Sequence, residues 1–502
     1  MISKEIKFLL THSSIYGLGT VTSRLVAFLL LPLYTRYLTP KDYGILELID
    51  ITTGTIALVV SLGIIRSMSR FYYDEKDLNN RNIVVSTSYV VYASIAILCS
   101  FFLFSFTDFI AEISLKSRSY GNFFTISFIS MLLGGLIDIG VMYLRLIKKS
   151  YIYISITVSR LCILIFLNIL FIAHFRMGVL GILYSSLITR TLFSIIITTG
   201  IIYRIGFVFS LKLARDLLKF GLPLIPASIL NWLVNKSDRY FILYFISVGD
   251  TGIYALAQKL GSAIHSLITR SFLMAFGPRR FEIINRNPEN TPHILNKIFT
   301  YYTFIMVFIG LSLSLLVPEI LRLMTTPKFY AAGPLVPLVV LTMVIFGLRY
   351  HFEFGILWSK KTQYYAYING LTSFINVGLN FLLIPHFGIW GAVFASLIAI
   401  TIHSILLYLI SNRLYPIPFE FFRVLKMFFL ACLFFAISTF ISTSSIFIDI
   451  ALKVGLILSF SATLVVLNIL TQEEKSKLRD ILSDTILRIA SRIKPITTYR
   501  RP

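Results

Sequence analysis

The chain has 502 residues, of which 57% are hydrophobic and 14% charged, and its mean hydropathy is +0.82. A soluble protein carries about 25% charged residues, so a soluble globular class is excluded, and apolar runs long enough to span a bilayer recur from end to end. The formal charge of +23 would suggest nucleic acid in a soluble chain, but most Lys and Arg lie between apolar runs, where they set orientation, and no nucleic-acid partner is expected.

Fourteen apolar spans are expected, at about 8–34, 44–66, 83–106, 122–144, 152–172, 178–203, 218–246, 252–276, 295–317, 333–357, 364–384, 389–411, 422–442 and 447–470. Backbone in lipid must satisfy its own hydrogen bonds, so each is read as a helix. With the N-terminus inside, the inside segments hold thirty Lys and Arg and the outside loops seven: Arg36, Lys41, Lys116, Arg118, Arg176, Arg322 and Lys328. That asymmetry places both termini in the cytoplasm.

Four sequence matches recur at offsets of 208 to 212 residues: Asp42-Tyr-Gly44-Ile45 with Asp250-Thr-Gly252-Ile253, Lys148-Lys149 with Lys360-Lys361, Leu167-Asn168 with Leu379-Asn380, and Gly178-Val-Leu-Gly181 with Gly388-Ile-Trp-Gly391. Spans 1–6 and 7–12 therefore read as two repeats. Six helices per repeat preserve orientation, so the repeats are parallel, about an axis along the membrane normal. The expected layout is an N-terminal lobe at 1–204, a C-terminal lobe at 205–412, two added helices at 413–470, and a basic amphipathic tail at 471–502 lying on the anionic inner leaflet. The longest loop is expected at 277–297. Pro32, Pro223, Pro226, Pro334 and Pro337 stand near span ends, where kinks are expected.

Catalysis and metal binding find little support. Cys99, Cys162 and Cys432 sit inside apolar runs without a CxxC pair and read as small core residues. The seven His lack metal-ligand spacing, and no Walker loop occurs, so no metal or cofactor is expected. No cleavable signal peptide is apparent.

The informative residues are charges inside spans. Span 7 carries Lys236, Asp238 and Arg239 within four positions. Each charge at the bilayer centre costs roughly 2.5–3.5 kcal/mol on insertion scales, and each large apolar residue returns only about 0.3–0.6. Span 1 places Ser13, Gly17, Thr20 and Arg24 on one face; span 8 does so with Lys259, Ser262, Ser266 and Arg270. Arg160 and Arg190 lie in spans 5 and 6. Arg349 and Glu353, four apart in span 10, are close enough to pair. Span 11 carries Asn369, Ser373, Asn376 and Asn380 on one stripe. The deep acids are Asp50, Asp138, Asp238 and Glu353, with Glu47 nearer the surface; Lys453, in the added pair, is expected to snorkel outward. Cations outnumber acids, and such a wall suits an anionic substrate, Arg matching phosphate oxygens bidentately.

These residues resemble a known family. Arg36-Tyr-Leu-Thr-Pro40-Lys-Asp-Tyr-Gly44-Ile-Leu, Asn235-Lys-Ser-Asp238-Arg239-Tyr-Phe-Ile, Gly252-Ile-Tyr254-Ala-Leu-Ala-Gln-Lys259-Leu and Gly388-Ile-Trp-Gly391-Ala are similar, in order, to motifs of bacterial polysaccharide and O-antigen flippases (Wzx-type) of the multidrug/oligosaccharidyl-lipid/polysaccharide exporter superfamily. The resemblance implies an inner-membrane flippase, not an enzyme, that moves undecaprenyl-pyrophosphate-linked oligosaccharide to the periplasmic leaflet for O-antigen, capsule or exopolysaccharide synthesis. It implies proton or sodium gradient coupling, and a polysaccharide polymerase and chain-length regulator as partners. Arg24 and Arg270 are similar to two arginines of the related peptidoglycan-precursor flippase, but the acid adjacent in that pattern is absent, since Ser23 and Leu25 flank Arg24. On this reading Arg24, Lys236, Arg239, Lys259, Arg270, Arg160, Arg190, Arg349, Asn369 and Asn376 contact substrate, and Asp238, Asp50 or Glu353 couples ion entry, with Asp238 also readable as a structural tether. The alternatives are a multidrug antiporter of the same fold, which would favour a cavity rich in acids and aromatics, and a non-transporting scaffold of an assembly complex, which leaves the cost of the buried charges unexplained.

Overall fold

A backbone that satisfies its polar groups locally in lipid becomes helix. The computed structural model describes residues 30–441, 443 and 445–467, and no strand occurs among them. In chain order the first helices are α1 (Leu31–Tyr37), α2 (Pro40–Val60), α3 (Ile64–Asp74), α4 (Leu78–Ser105), α5 (Thr107–Leu115), α6 (Gly121–Leu146), α7 (Ser150–Asn168) and α8 (Gly178–Ile205). They are followed by α9 (Leu211–Gly221), α10 (Leu224–Lys236), α11 (Asp238–Phe245), α12 (Val248–Gly261), α13 (Arg270–Arg286) and α14 (Thr291–Met324). The last are α15 (Val336–Phe352), α16 (Phe354–Trp358), α17 (Gln363–Phe387), α18 (Ile389–Leu414), α19 (Phe421–Ser438) and α20 (Ile446–Val466).

Among the described residues, eleven helical stretches are long and apolar enough to cross a membrane, and they coincide in order with expected spans 2–6 and 9–14. Span 1, including Arg24, lies mostly outside the described residues, as does the basic tail. Spans 7 and 8 are broken where their charges stand. Span 7 divides at Ser237 into α10 and α11, and span 8 into α12, a π-helical turn at His265–Thr269, and α13. Other expectations are corrected. Span 2 begins at Pro40, turns at Ser61–Gly63 and runs on to Asp74. The expected loop at 277–297 is mostly helix, since α13 reaches Arg286 and α14 starts at Thr291. Cys162 and Cys432 are exposed rather than core residues; apolar spans have an outer face as well as an inner one.

The two repeats are visible in the backbone. Lys148 and Lys360 adopt left-handed φ values of 57° and 56°, and Gly178 and Gly388 values of 56° and 60°. Asn168 and Asn380 are both fully buried, and each donates to the residue four positions before it: to Leu164 O at 2.8 Å and to Asn376 Oδ1 at 3.0 Å.

The repeats also meet reciprocally. At the head of α2, Thr39 and Asp42 form a capping box, with Thr39 N donating to Asp42 Oδ2 at 2.9 Å and Asp42 N to Thr39 Oγ1 at 3.2 Å. At the head of α12, Ser247 and Asp250 do the equivalent, with Asp250 N donating to Ser247 Oγ at 3.0 Å and Ser247 Oγ to Asp250 Oδ2 at 2.6 Å. A Cβ on Gly44 would collide with the carbonyl oxygen of Val248, and a Cβ on Gly252 with that of Pro40. The two helix heads therefore cross backbone against backbone, which only glycine permits. Each first turn carries a carboxylate that offsets its helix dipole.

By packing, the chain divides into two units, Met1–Phe281 with Ile320–Pro416, and Glu282–Glu319 with Ile417–Pro502. The first holds both repeats except span 9, which joins spans 13 and 14 in the second. Within the second unit Phe299 meets Phe419 at 4.7 Å between ring centroids, and Glu420 N donates to Asn296 Oδ1 at 3.0 Å. Lys453 does not snorkel. It is 5% exposed and donates to Glu319, itself 2% exposed, at 2.5 Å. Lys453 stands seven residues, about 10 Å, into α20, and Glu319, an acid missing from the sequence inventory, supplies a counter-charge at that depth.

Candidate functional site

The crossing of α2 and α12 places two acids of the first repeat beside the cations of the second. On α2, Tyr43, Glu47 and Asp50 share one face at i, i+4, i+7. Glu47 Oε1 lies 3.5 Å from Arg239 Nε and 3.7 Å from Lys236 Nζ. Lys259 Nζ donates to Tyr43 Oη at 3.4 Å and stands 6.0 Å from the Tyr34 ring centroid, a cation–π distance. Below the crossing, Tyr240 and Thr52 share a hydroxyl–hydroxyl hydrogen bond of 2.6 Å.

The break in span 7 is filled by side chains. Asp238 Oδ1 accepts from Arg239 N at 3.0 Å and from Arg239 Nη1 at 2.6 Å. Its other oxygen accepts from Tyr254 Oη, which in turn accepts from Gln258 Nε2 at 2.7 Å. The Arg239 guanidinium lies over the Tyr254 ring, 5.1 Å from the centroid. Asp238 and Arg239 are 4% and 5% exposed. Both carboxylate oxygens of Asp238 are thus engaged within the protein.

Asp50 differs. It is exposed, and its carboxylate has no hydrogen-bond or ion-pair partner among the described residues. The charges that act on it are Glu47, Arg190, Lys236 and Lys259. Arg190, on α8, also acts on Asp138, as do Arg160 and Arg145, and its Nη1 donates to Ser130 O at 3.1 Å. The expected residues Arg160, Arg190, Lys236, Arg239 and Lys259 therefore belong to one connected field with Glu47, Asp50, Asp138 and Asp238, drawn from both repeats.

A second group forms within the second repeat. Glu353 does not pair with Arg349. Its Oε1 accepts from Arg280 Nη2 at 2.9 Å and its Oε2 from Tyr365 Oη at 2.9 Å, while Arg280 Nη1 reaches Tyr350 O at 3.1 Å. The i,i+4 spacing allowed an Arg349–Glu353 pair, but the helix ends at Phe352 and Glu353 turns toward α13 and α17. Arg349 stacks on Phe346 at 3.8 Å, and its Nε is buried without a hydrogen-bond partner among the described residues. Asn369 Oδ1 is 2.9 Å from His403 Nε2; Asn376 is 2% exposed and bonded to Asn380. Arg270 is exposed and joins neither group.

Sequence reasoning missed Tyr254, Gln258, Arg280, Tyr365 and His403. Tyr254 and Gln258 share a helix face with Lys259's span, so their i,i+4 spacing was a usable signal. The contacts of Arg280 with Glu353, and of Glu47 with Arg239, join distant parts of the chain and leave no local trace.

A model of the polysaccharide biosynthesis protein family matches residues 9–284, more than half of the chain. The chain belongs to that family. It is 24% identical over 328 residues to the Lsg locus putative protein 1 of Haemophilus influenzae, covering 61% of this chain and 74% of that one. Its fold is similar to that of the lipid II flippase MurJ in an inward closed conformation, with a TM-score of 0.73 and 15% identity over 89% of this chain and 98% of that one. It is also similar to an inward-facing multidrug resistance MATE family transporter of the MOP superfamily, with a TM-score of 0.60 and 16% identity over 79% and 97% of the two chains. The chain is thus an all-helical, multi-pass membrane protein of polysaccharide biosynthesis with a MurJ- and MATE-like fold.

Proposed function

We propose that this chain is a flippase that carries an undecaprenyl-pyrophosphate-linked oligosaccharide from the cytoplasmic to the periplasmic leaflet of the inner membrane by alternating access. The observation that carries this reading is the gathering of Lys236, Arg239 and Lys259 of the second repeat on the Tyr43–Glu47–Asp50 face of α2 in the first, at 3.7 and 3.5 Å from Glu47 and 3.4 Å from Tyr43, with Arg190 also acting on Asp50. Cations drawn from both halves can hold a pyrophosphate while the halves reorient about it. The family membership supplies the polysaccharide context. Ion coupling falls best to Asp50, because Asp238 is held by Arg239 and Tyr254, and Glu353 by Arg280 and Tyr365. Asp238 then serves as the tether of the broken helix.

The test is reconstitution in liposomes with a fluorescent polyprenyl-pyrophosphate oligosaccharide. Arg190→Ala and Lys259→Ala each remove one charge-assisted contact of about 1.5–3 kcal/mol, so flipping slows at least tenfold in each. Wild-type rates in both variants would refute the cationic site. Export of cationic drugs without lipid movement would favour the antiporter.

A further inference from the structure

Helix α11 has a second face. On the side away from Asp238 and Arg239, a cavity of about 400 Å³ is lined by Ile113, Lys116, Tyr240, Phe241, Leu243, Tyr244, Phe245 and Phe381. Its volume lies within the range of small-ligand sites. The walls come from both repeats: the end of α5 and the loop after it on one side, α11 and α17 on the other.

The lining is graded. Lys116 stands in the loop beyond α5, on the end of the bundle whose loops carry few basic residues. Phe241 lies four residues below Phe245 along α11, and Phe381 six residues below the end of α17, depths of about 6 and 9 Å. Phe241 stacks on Phe245, with centroids 6.4 Å apart, and Phe245 meets Phe381 edge-on at 5.7 Å. One cation thus sits above a column of aromatic rings.

The cation is also positioned. Lys116 Nζ donates to Tyr244 O at 2.8 Å and lies 5.0 Å from the Tyr244 ring centroid. An ammonium has three donors, so two N–H groups remain for an incoming oxygen anion. The Lys116 side chain is exposed, as are Tyr244 and Phe381 at 69% and 59%. A phosphate above and an acyl chain below match this arrangement, and in a bilayer the molecule with that form is a phospholipid.

We infer that the cavity is a binding site for one anionic phospholipid of the leaflet on the basic-poor side, its phosphate on Lys116 and one acyl chain along Phe245, Phe241 and Phe381. The site does not depend on what the chain transports. Because α11 carries Asp238 and Arg239 on its other face, the lipid braces the helix that holds the charged site, from the side that separates α5 of the first repeat from α17 of the second.

Native mass spectrometry of the full-length protein, exchanged into phosphatidylglycerol or phosphatidylcholine, tests this. Wild-type protein retains phosphatidylglycerol in preference. Lys116→Gln lowers that retention about tenfold, the worth of one charge-assisted hydrogen bond, and abolishes the preference over phosphatidylcholine, whose choline cation offsets its phosphate. Phe381→Trp fills the cavity and lowers retention of both lipids. Phe374→Trp, on the same helix at a 77% exposed position outside the lining, changes neither. Equal retention in wild type, Lys116→Gln and Phe381→Trp overturns the site. So does an equal loss in Phe374→Trp, and preferential retention of a polyprenyl phosphate overturns the assignment of the occupant.

Discussion

Carboxylates of the same type do different work here, and their partners separate them. Asp50 is exposed among cations without a bonded partner among the described residues, whereas Asp238, Glu319 and Glu353 are each held by a buried cation. Asp50→Asn is expected to leave the protein folded and to remove the dependence of flipping on an imposed ion gradient, measured in liposomes with and without the gradient; an unchanged gradient response would remove Asp50 from that role. Removing one partner of a buried pair leaves an uncompensated charge and costs about 3–5 kcal/mol. Arg280→Met and Glu319→Gln should therefore lower the melting temperature of the purified protein markedly, while Glu319→Gln combined with Lys453→Met should recover most of the loss. Equal destabilisation in the single and double variants would show that the Lys453–Glu319 pair is not a closed unit. The residue scale was also where the sequence was hardest to read. The number and sign of buried charges were plain, but their pairing was set by distant segments: Arg280 was assigned to a loop because nothing local shows that α13 carries it to Glu353.

At the scale of the element, span 7, which carries three charges within four positions, is broken among them. Span 7 was legible as costly from its composition, and the structure shows the response. The helix stops at Lys236, and Asp238, Arg239 and Tyr254 fill the break with hydrogen bonds. The Gly44–Gly252 crossing was legible only as a repeated motif. Its function as a close backbone contact emerges when the two copies are placed against each other. Since each glycine faces the backbone carbonyl of the other helix, Gly44→Ala and Gly252→Ala should have matching effects, each forcing α2 and α12 apart. Slowed flipping of similar size in both, with folded protein confirmed by thermal melting, is the expected result. A strong effect from one and none from the other would show that the contact is not shared equally.

For the whole molecule, the positive-inside count and the even number of expected spans predict that both ends of the chain lie in the cytoplasm. A reporter fused after Pro502 should therefore be active in the cytoplasm and silent in the periplasm; the opposite result would remove one span from the count. Helix content and the order of the eleven membrane-length helical stretches among the described residues followed from hydropathy alone, because a bilayer leaves the backbone so few choices. What hydropathy did not convey was that span 9 packs with spans 13 and 14, since apolar faces seek neighbours without recording which.

The crossing at Gly44 and Gly252 has one more property. Pro40 meets Gly252 as Val248 meets Gly44, which is the pattern of an isologous interface, in which residue i touches j and j touches i. Two identical chains, each a single six-helix repeat, would make the same contacts across a two-fold axis. The crossing thus has the local geometry of a two-fold contact, and its asymmetry, with Glu47 and Asp50 on one side and Lys259 on the other, is what two identical chains could not have had.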